Sequence, residues 1–393
     1  MSSRFPTTKL SEIAELNPTL GKKLSADELI SFVPMSSLSA KTAKVETTQD
    51  RPYSEVSKGF TPFLNGDVLF AKITPCFENG KIAQANLPRL HGFGSTEFHV
   101  IRSRPEISDA RYLHHYLRLD SIRDEGQRRM TGSGVQRRVP SSFLAELQVP
   151  LPPLPEQRRI AAILDQAETL RTQRRTALAQ LDSLTQSIFL DMFGEPKHNK
   201  KGFDSKCLDE VTTFFGGNSL PDGEDYVAQM DGYFLMKVSD MNLQGNERHI
   251  NKCQLWSHLS GSKASTCPVG SIVIPKRGGA ISTNKKRLTT RPTVLDPNLM
   301  AIYPNPKILE RTYLFQWFLD FDLASIASGS SVPQLNKQDL APLSILVPPL
   351  PLQQTFATRI QAIAALKATH RSALTALDAL FASLQQRAFQ GDL

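Results

Sequence analysis

Lysine and arginine outnumber aspartate and glutamate 46 to 38 in this 393-residue chain, giving a formal net charge of +8 and a pI near 9.3. A surplus of that sign favours an anionic partner, nucleic acid first among them. The residue sets that carry catalysis are missing. There is no GxxxxGK phosphate loop, no GxSxG elbow and no HExxH pair. Neither a glycine-rich methyl-donor motif nor the Asn/Asp-Pro-Pro-aromatic motif of base methyltransferases is found. Gly216-Gly217 and Gly278-Gly279 lack GxGxxG spacing and read as turns. A metal-dependent nuclease core needs acidic residues converging with a lysine on a strand pair. The nearest echo, Glu195-Pro196-Lys197, reads as a capping turn. Cys76, Cys207, Cys253 and Cys267 form no CxxC pair, and the histidines have no zinc-like spacing. They read as reduced thiols of a cytosolic protein, and no metal or catalytic residue is assigned. No stretch approaches the roughly 18 apolar residues of a membrane span, and MSSRFPTTKLSEIAEL has no apolar signal-peptide core.

The elements that position this charge occur twice. Pro152-Pro153-Leu154-Pro155 and Pro348-Pro349-Leu350-Pro351 each open a helix-like stretch, at residues 156–193 and 352–389. Aligned on the proline runs, Ile160, Leu164, Ala167, Leu170, Leu178, Leu181, Leu184, Ile188 and Met192 fall on Phe356, Ile360, Ile363, Leu366, Leu374, Leu377, Leu380, Leu384 and Ala388. Neither stretch has an internal glycine, and no proline follows the opening run. Each is rich in good helix formers, recurs at steps of three and four, and has a glycine, Gly194 or Gly391, just past its end. A helix that long with one apolar stripe needs a partner. Chain direction predicts that the two pack on each other as an antiparallel coiled coil, with a globule at either end and an approximate two-fold relation. The predicted packing residues are Ile160, Leu164, Leu178, Leu181, Leu184, Ile188, Phe356, Ile360, Leu374, Leu377, Leu380 and Leu384. Arg174 and His370 interrupt the stripe beside Arg171, Arg175, Lys367 and Arg371, either as a register-fixing polar layer or as a solvated face.

The segments are therefore 1–151, a globular domain; 152–195, a helical region; 196–347, a second globular domain; and 348–393, a second helical region. Both globules read as mixed α/β (α+β). Gly66-Asp67 before VLFAKI and Gly270-Ser271 before IVIPKR are turns leading into buried strands. The aromatic helices Tyr112–Leu117 and Tyr313–Phe318 follow as core packing. The small-residue loops Gly132–Gln136 and Gly329–Gln334 come next. The frame repeats and the filling between these landmarks does not.

This order of parts resembles the specificity (S) subunit of type I restriction–modification systems. LPPLPEQRRI at Leu151–Ile160 looks like the family's entry to its conserved helical region. VPPLPLQQ at Val347–Gln354 is a second copy, with Leu352 in place of Glu156. Gly66-Asp67-Val68-Leu69, Pro75, Glu78-Asn79-Gly80-Lys81 and Gly94-Ser95-Thr96-Glu97-Phe98 are similar to the family's target-recognition domains. So are the tails Ser187-Ile188-Phe189 and Ser383–Phe389 to its helical regions. The second globule departs more from the pattern. The resemblance implies a non-catalytic subunit that reads a bipartite, asymmetric DNA site, one half per globule, with the helices setting the spacer. It implies two methyltransferase subunits and restriction/translocase subunits as partners. S-adenosylmethionine, ATP and magnesium would belong to those partners and no cofactor to this chain. An unrecognised nuclease or methyltransferase, or a protein-binding adaptor, is the competing reading.

On that footing Lys and Arg would supply salt-dependent phosphate contacts, and side chains at base edges the specificity. The candidate DNA contacts are Lys72, Lys81, Arg128, Arg129, Gln136, Arg137 and Arg138 in the first globule. In the second they are Lys276, Arg277, Lys285, Lys286, Arg287, Arg291 and Gln334. Arg137-Arg138 and Lys285-Lys286-Arg287 stand out, since each follows small residues that let a backbone approach DNA closely.

Overall fold

The computed structural model describes residues 4–21, 24–134, 136–195, 198–329 and 332–393. The elements that frame the site are, in order, β1 (Thr7–Lys9), β2 (Val68–Ala71), β3 (Phe98–Ser103), α1 (Ala110–Leu117), α2 (Asp120–Arg128), β4 (Gln148–Pro150) and the long α3 (Leu154–Phe193). Then come β5 (Asp204–Cys207), β6 (Ile272–Pro275), β7 (Leu299–Pro304), α4 (Arg311–Asp320), β8 (Ser344–Val347) and the long α5 (Leu350–Gln390). The chain forms two compact units, Met1–Ala177 with His370–Leu393, and Leu178–Thr369. Each unit holds part of both long helices. Among the described residues no helix is long and apolar enough to cross a membrane.

In the first unit one sheet runs Ala14–Leu16, β3, β2, Ile82–Gln84, Lys44–Val45, Leu38–Ser39. A second runs Gln49–Pro52, Leu29–Val33, His91–Gly94, Thr61–Leu64. In the second unit one sheet runs Thr212–Gly216, β7, β6, Arg287–Thr289, His249–Ile250. The other runs Glu224–Asp225, Leu255–Ser257, Tyr233–Met236, Thr293–Leu295, Thr266–Cys267. The central strands β2 and β6 are buried at every position, as uninterrupted apolar runs with neighbours on both edges should be. β1 pairs antiparallel with β4, and β5 with β8, bringing the ends of each globule together.

The long helices begin at the predicted proline runs and end at the predicted glycines. Gly194 (φ +75°) and Gly391 (φ +85°) take the left-handed conformation that satisfies the last carbonyls. Their amides donate to Leu190 O (2.8 Å) and Arg387 O (3.0 Å). A fully buried glutamine fastens each helix start. Gln157 Nε2 donates to Ile107 O and Pro152 O while its Oε1 accepts from Asp109 N. Gln353 makes the same three bonds with Ile308 O, Pro348 O and Glu310 N. Asp109 and Glu310 cap α1 and α4. Tyr112 Oη donates to Pro150 O and Tyr313 Oη to Leu346 O, both at 2.8 Å.

Ile160 and Leu164 of α3 share the first unit's core with Leu384 and Phe389 of α5. Ile188 of α3 shares the second unit's core with Phe356 and Ile360 of α5. Leu178, Leu181, Leu374 and Leu377 are half-buried. Two predicted packing residues are corrected. Leu184 is 42% and Leu380 49% exposed, and their repeat-related neighbours Leu170 and Leu366 are 44% and 51% exposed. The residue one step further along is turned inward in each case: Arg171, Thr185, Lys367 and Phe381. Each of the four leucines ends two successive steps of three residues, and since a turn takes about 3.6, two such short steps carry the side chain round to the flank of the stripe. The cations that replace it lay their stems along the seam and find acids. Arg171 Nε donates to Asp378 at 2.6 Å, and Lys367 Nζ lies 2.7 Å from Asp182. Arg174 Nη1 and His370 Nδ1 meet at 3.1 Å on the exposed side, and Arg371 is exposed.

Candidate nucleic-acid interface

Where β2 and β6 end, each unit builds the same small device. Lys72 follows β2 and Lys276 follows β6. The carbonyl of Lys72 accepts from Val139 N (2.8 Å), and that of Lys276 from Leu335 N (2.9 Å). These bonds strap a tight hairpin to the strand end. In the first unit Thr131 bridges Arg138, which also bridges Ile73. In the second Ser328 bridges Gln334, which also bridges Arg277. Thr74 N donates to Arg137 O and Gly278 N to Pro333 O. Both hairpins need glycine where they turn. A Cβ on Gly132 (φ +119°) would sit 2.6 Å from Gln136 O, and one on Gly329 (φ +102°) 2.7 Å from Val332 O. Val135, Ser330 and Ser331 of the predicted loops lie outside the described residues, as do Pro196 and Lys197 of the Glu195-Pro196-Lys197 turn.

The first hairpin is stiffened by acids from the motifs around it. Arg138 grips Glu97 with Nε (2.9 Å) and Nη2 (2.8 Å), and Arg137 Nη2 lies 3.0 Å from Glu78. The hydrogen bond from Arg138 holds the Glu97 carboxyl below the usual range, against the opposing pull of burial. These pairs fix the loop's shape while both arginines stay partly exposed. Gln136 is exposed at the tip. Arg128 and Arg129, at the end of α2, lead into the same hairpin. Arg129 pairs with Glu125 at 2.8 Å and stands over Phe143. Lys81 turns away, its Nζ donating to Met35 O at 3.0 Å.

In the second unit Lys276, Arg277 and Gln334 gather at the hairpin base. Burial, then the neighbouring Arg277 charge, pull the Lys276 pKa down. The basic run Lys285-Lys286-Arg287 is corrected. Lys286 is 1% exposed and holds Asn284 Oδ1 (2.7 Å) and Phe321 O (2.6 Å). Burial lowers its pKa to about 8, and with both partners internal this ammonium fastens a turn and does not reach the surface. Arg287 lies in a strand, half-buried, donating to Lys286 O and Met241 O. With Lys286 turned into the core and Arg287 bonded to backbone carbonyls at the start of its strand, the run cannot act as one patch. Lys285 is held by Asn242 Oδ1. Arg291 stacks over Phe234 (4.8 Å) and Tyr226 (5.7 Å).

The sequence reading passed over Glu78 and Glu97 as partners of Arg137 and Arg138, and Gln157 and Gln353 as latches. The glutamines had a signal: they are among the few polar residues kept in place in both copies of the proline motif.

Residues 4–180 match the type I restriction modification DNA specificity domain. A stretch of 184 residues, 46% of the chain, is 39% identical to the type I restriction enzyme EcoAI specificity subunit of Escherichia coli. It covers 31% of that subunit, so the chain spans about a third of the length of this curated relative. Two solved structures share the fold. One is a chain from work on complex assembly and conformational transition of the type I R-M system (TM-score 0.59, 20% identity, 99% of this chain and 98% of that one). The other is the type I restriction–modification system S subunit from M. genitalium (TM-score 0.61, 14% identity, 98% and 96%). Residues 4–180 are thus similar to the type I restriction modification DNA specificity domain, and the chain shares, along its length, the fold of the M. genitalium S subunit.

Proposed function

We propose that this chain is the DNA-reading subunit of a type I restriction–modification complex. It would be non-catalytic itself, each unit reading one half of an asymmetric, interrupted site. The observation that carries this reading is the glycine-turned hairpin strapped to the end of the central strand, built once in each unit with different side chains. A repeated backbone device gives the same approach to DNA twice. Arg137-Arg138 in one copy and Pro333-Gln334 in the other give two different readouts. The long helices, each running through both units, would set the unread spacer. Adenine methylation, ATP-driven translocation and cleavage would belong to methyltransferase and restriction subunits, with their S-adenosylmethionine, ATP and magnesium.

The outward leucines support a helical docking face for the methyltransferase subunits. Leu170 and Leu380 flank the Arg171–Asp378 pair in the first unit, and Leu184 and Leu366 flank Asp182–Lys367 in the second. Half-exposed leucines in two repeat-related pairs fit two copies of one partner. Native mass spectrometry should then record two methyltransferase subunits per chain, and Leu170→Asp with Leu380→Asp should leave one. The deciding experiment is methylome sequencing of a methylation-free host expressing this chain with its neighbouring methyltransferase. A single interrupted asymmetric motif, methylated on both strands, is expected. A stable complex that methylates no motif would overturn the reading.

A further inference from the structure

A cavity of about 270 Å³ lies wholly within the first unit, where the Phe77–Ile82 turn, the α1–α2 corner and the long helices meet. Its wall is cationic: Lys81, Arg118, Arg123 and Arg171 line it, with Asp120 and Asp378 the acids among them. Arg118 and Arg171 share Glu168, each at 2.9 Å, and both guanidiniums lie over the Phe381 ring, at 5.6 and 4.4 Å. Arg175 leans on the same Glu168 and Asp378. Five cations therefore meet three carboxylates, and one of those, Asp120, is 81% solvent-exposed beside Arg123, where screening weakens the pair. Lys81 has a neutral backbone carbonyl as its partner, and among the described residues no carboxylate lies within ion-pair distance of it. Burial, with the neighbouring Arg171 and Arg175 charges, pulls the Arg118 pKa down in spite of Glu168.

We propose that this cavity binds a small phosphorylated anion, inorganic phosphate or a free nucleotide, at a site separate from the DNA-reading hairpins. Guanidiniums offer forked donors that match phosphate oxygens, and Lys81 adds a point charge. The volume is at the small end of ligand pockets, roughly 300–1,000 Å³, which limits the occupant to about the size of a nucleoside monophosphate. The corresponding positions of the second unit, Leu319, Ala364 and Lys367, cannot rebuild it.

The test is calorimetric titration of the full chain with inorganic phosphate, AMP and ATP at constant ionic strength. Saturable binding is expected, weakened roughly tenfold or more in Arg123→Ala and retained in Arg159→Ala, which removes an exposed arginine outside the cavity. AMP binding tighter than phosphate identifies a nucleotide site, and equal affinities identify a phosphate site. Arg123 is partly exposed, so Arg123→Ala should leave the fold intact, as circular dichroism would check. Lys81→Ala gives a second reading from another wall. No saturable binding of any of the three, or binding unchanged in both variants, overturns the proposal. Loss of duplex affinity in Arg123→Ala with phosphate binding unchanged also overturns it and assigns the cavity to DNA.

Discussion

The start of each long helix is wired identically in the two units, and the middle is not. Gln157 and Gln353 each make three buried hydrogen bonds to equivalent backbone atoms, and Tyr112 and Tyr313 each donate to the strand before the helix. Further along, the first unit sets Arg118, Arg171 and Arg175 around Glu168 and Asp378. The second has Lys367 on Asp182 and Gln186 on Gln316. A backbone junction tolerates one solution, because every donor and acceptor it buries must be met. A side-chain layer tolerates several, provided its charges balance. The duplicated junction is thus held by main-chain bookkeeping, while the side-chain layers beyond it are free to diverge.

Four experiments would break or sharpen that comparison. The largest effect is expected from Glu168→Ala, which strands the partly buried Arg118 and leaves Arg171 and Arg175 to share Asp378, and should cost about 3–5 kcal/mol in denaturant unfolding. Asp182→Ala removes a largely exposed carboxylate from Lys367 and should cost about 1 kcal/mol or less. Equal losses would mean the two layers are not energetically distinct. Next, Gln157→Leu and Gln353→Leu each leave one amide and two carbonyls without partners in a dry site. Both should lose about 2–3 kcal/mol. Hydrogen exchange should place each loss in its own unit, and a gap well beyond 1 kcal/mol between them would refute the shared junction. Smaller again, Gly132→Ala and Gly329→Ala should cost about 1–2 kcal/mol through left-handed strain. Each should weaken binding of duplexes carrying only its own half-site, as read by competition binding; loss at both half-sites would contradict independent hairpins.

The smallest expected change is a difference in acid sensitivity. Burial lowers the pKa values of His99, His114 and His115 in the first unit, and of His249 in the second. A histidine whose folded pKa lies below its unfolded one stays neutral in the fold. The unfolded chain therefore binds more protons as pH falls through roughly 6.5, and stability falls with it. Exchange protection in the first unit should drop more than in the second between pH 7.5 and 5.5. Equal drops would show that the extra buried histidines carry no linkage.

Much of the frame could be read from residues alone. Proline runs, helix formers and terminal glycines located α3 and α5 to within two residues at either end. The turns at Gly66-Asp67 and Gly270-Ser271 located β2 and β6. The site was read less well. Lys72, Gln136, Arg137, Arg138, Lys276, Arg277 and Gln334 do gather at the hairpins, whereas Lys286 is buried and Lys81 faces a cavity. A basic residue's type says that it prefers water or an anion, and says nothing of which face its strand presents.

The sequence by itself determined what rests on neighbours along the chain: a twice-built plan, helices with defined ends, buried central strands and a basic balance. These follow from periodicity, capping and local conformational preference, which act over a few residues. Only the tertiary structure decided that the two globules share strand order despite dissimilar filling, that the periodic leucines turn outward while Arg171 and Lys367 turn in, and that Gln157 and Gln353 bear the junctions. Those outcomes depend on contacts between residues far apart in the chain, where the rotation of a helix or the face of a strand is set by which buried groups find partners.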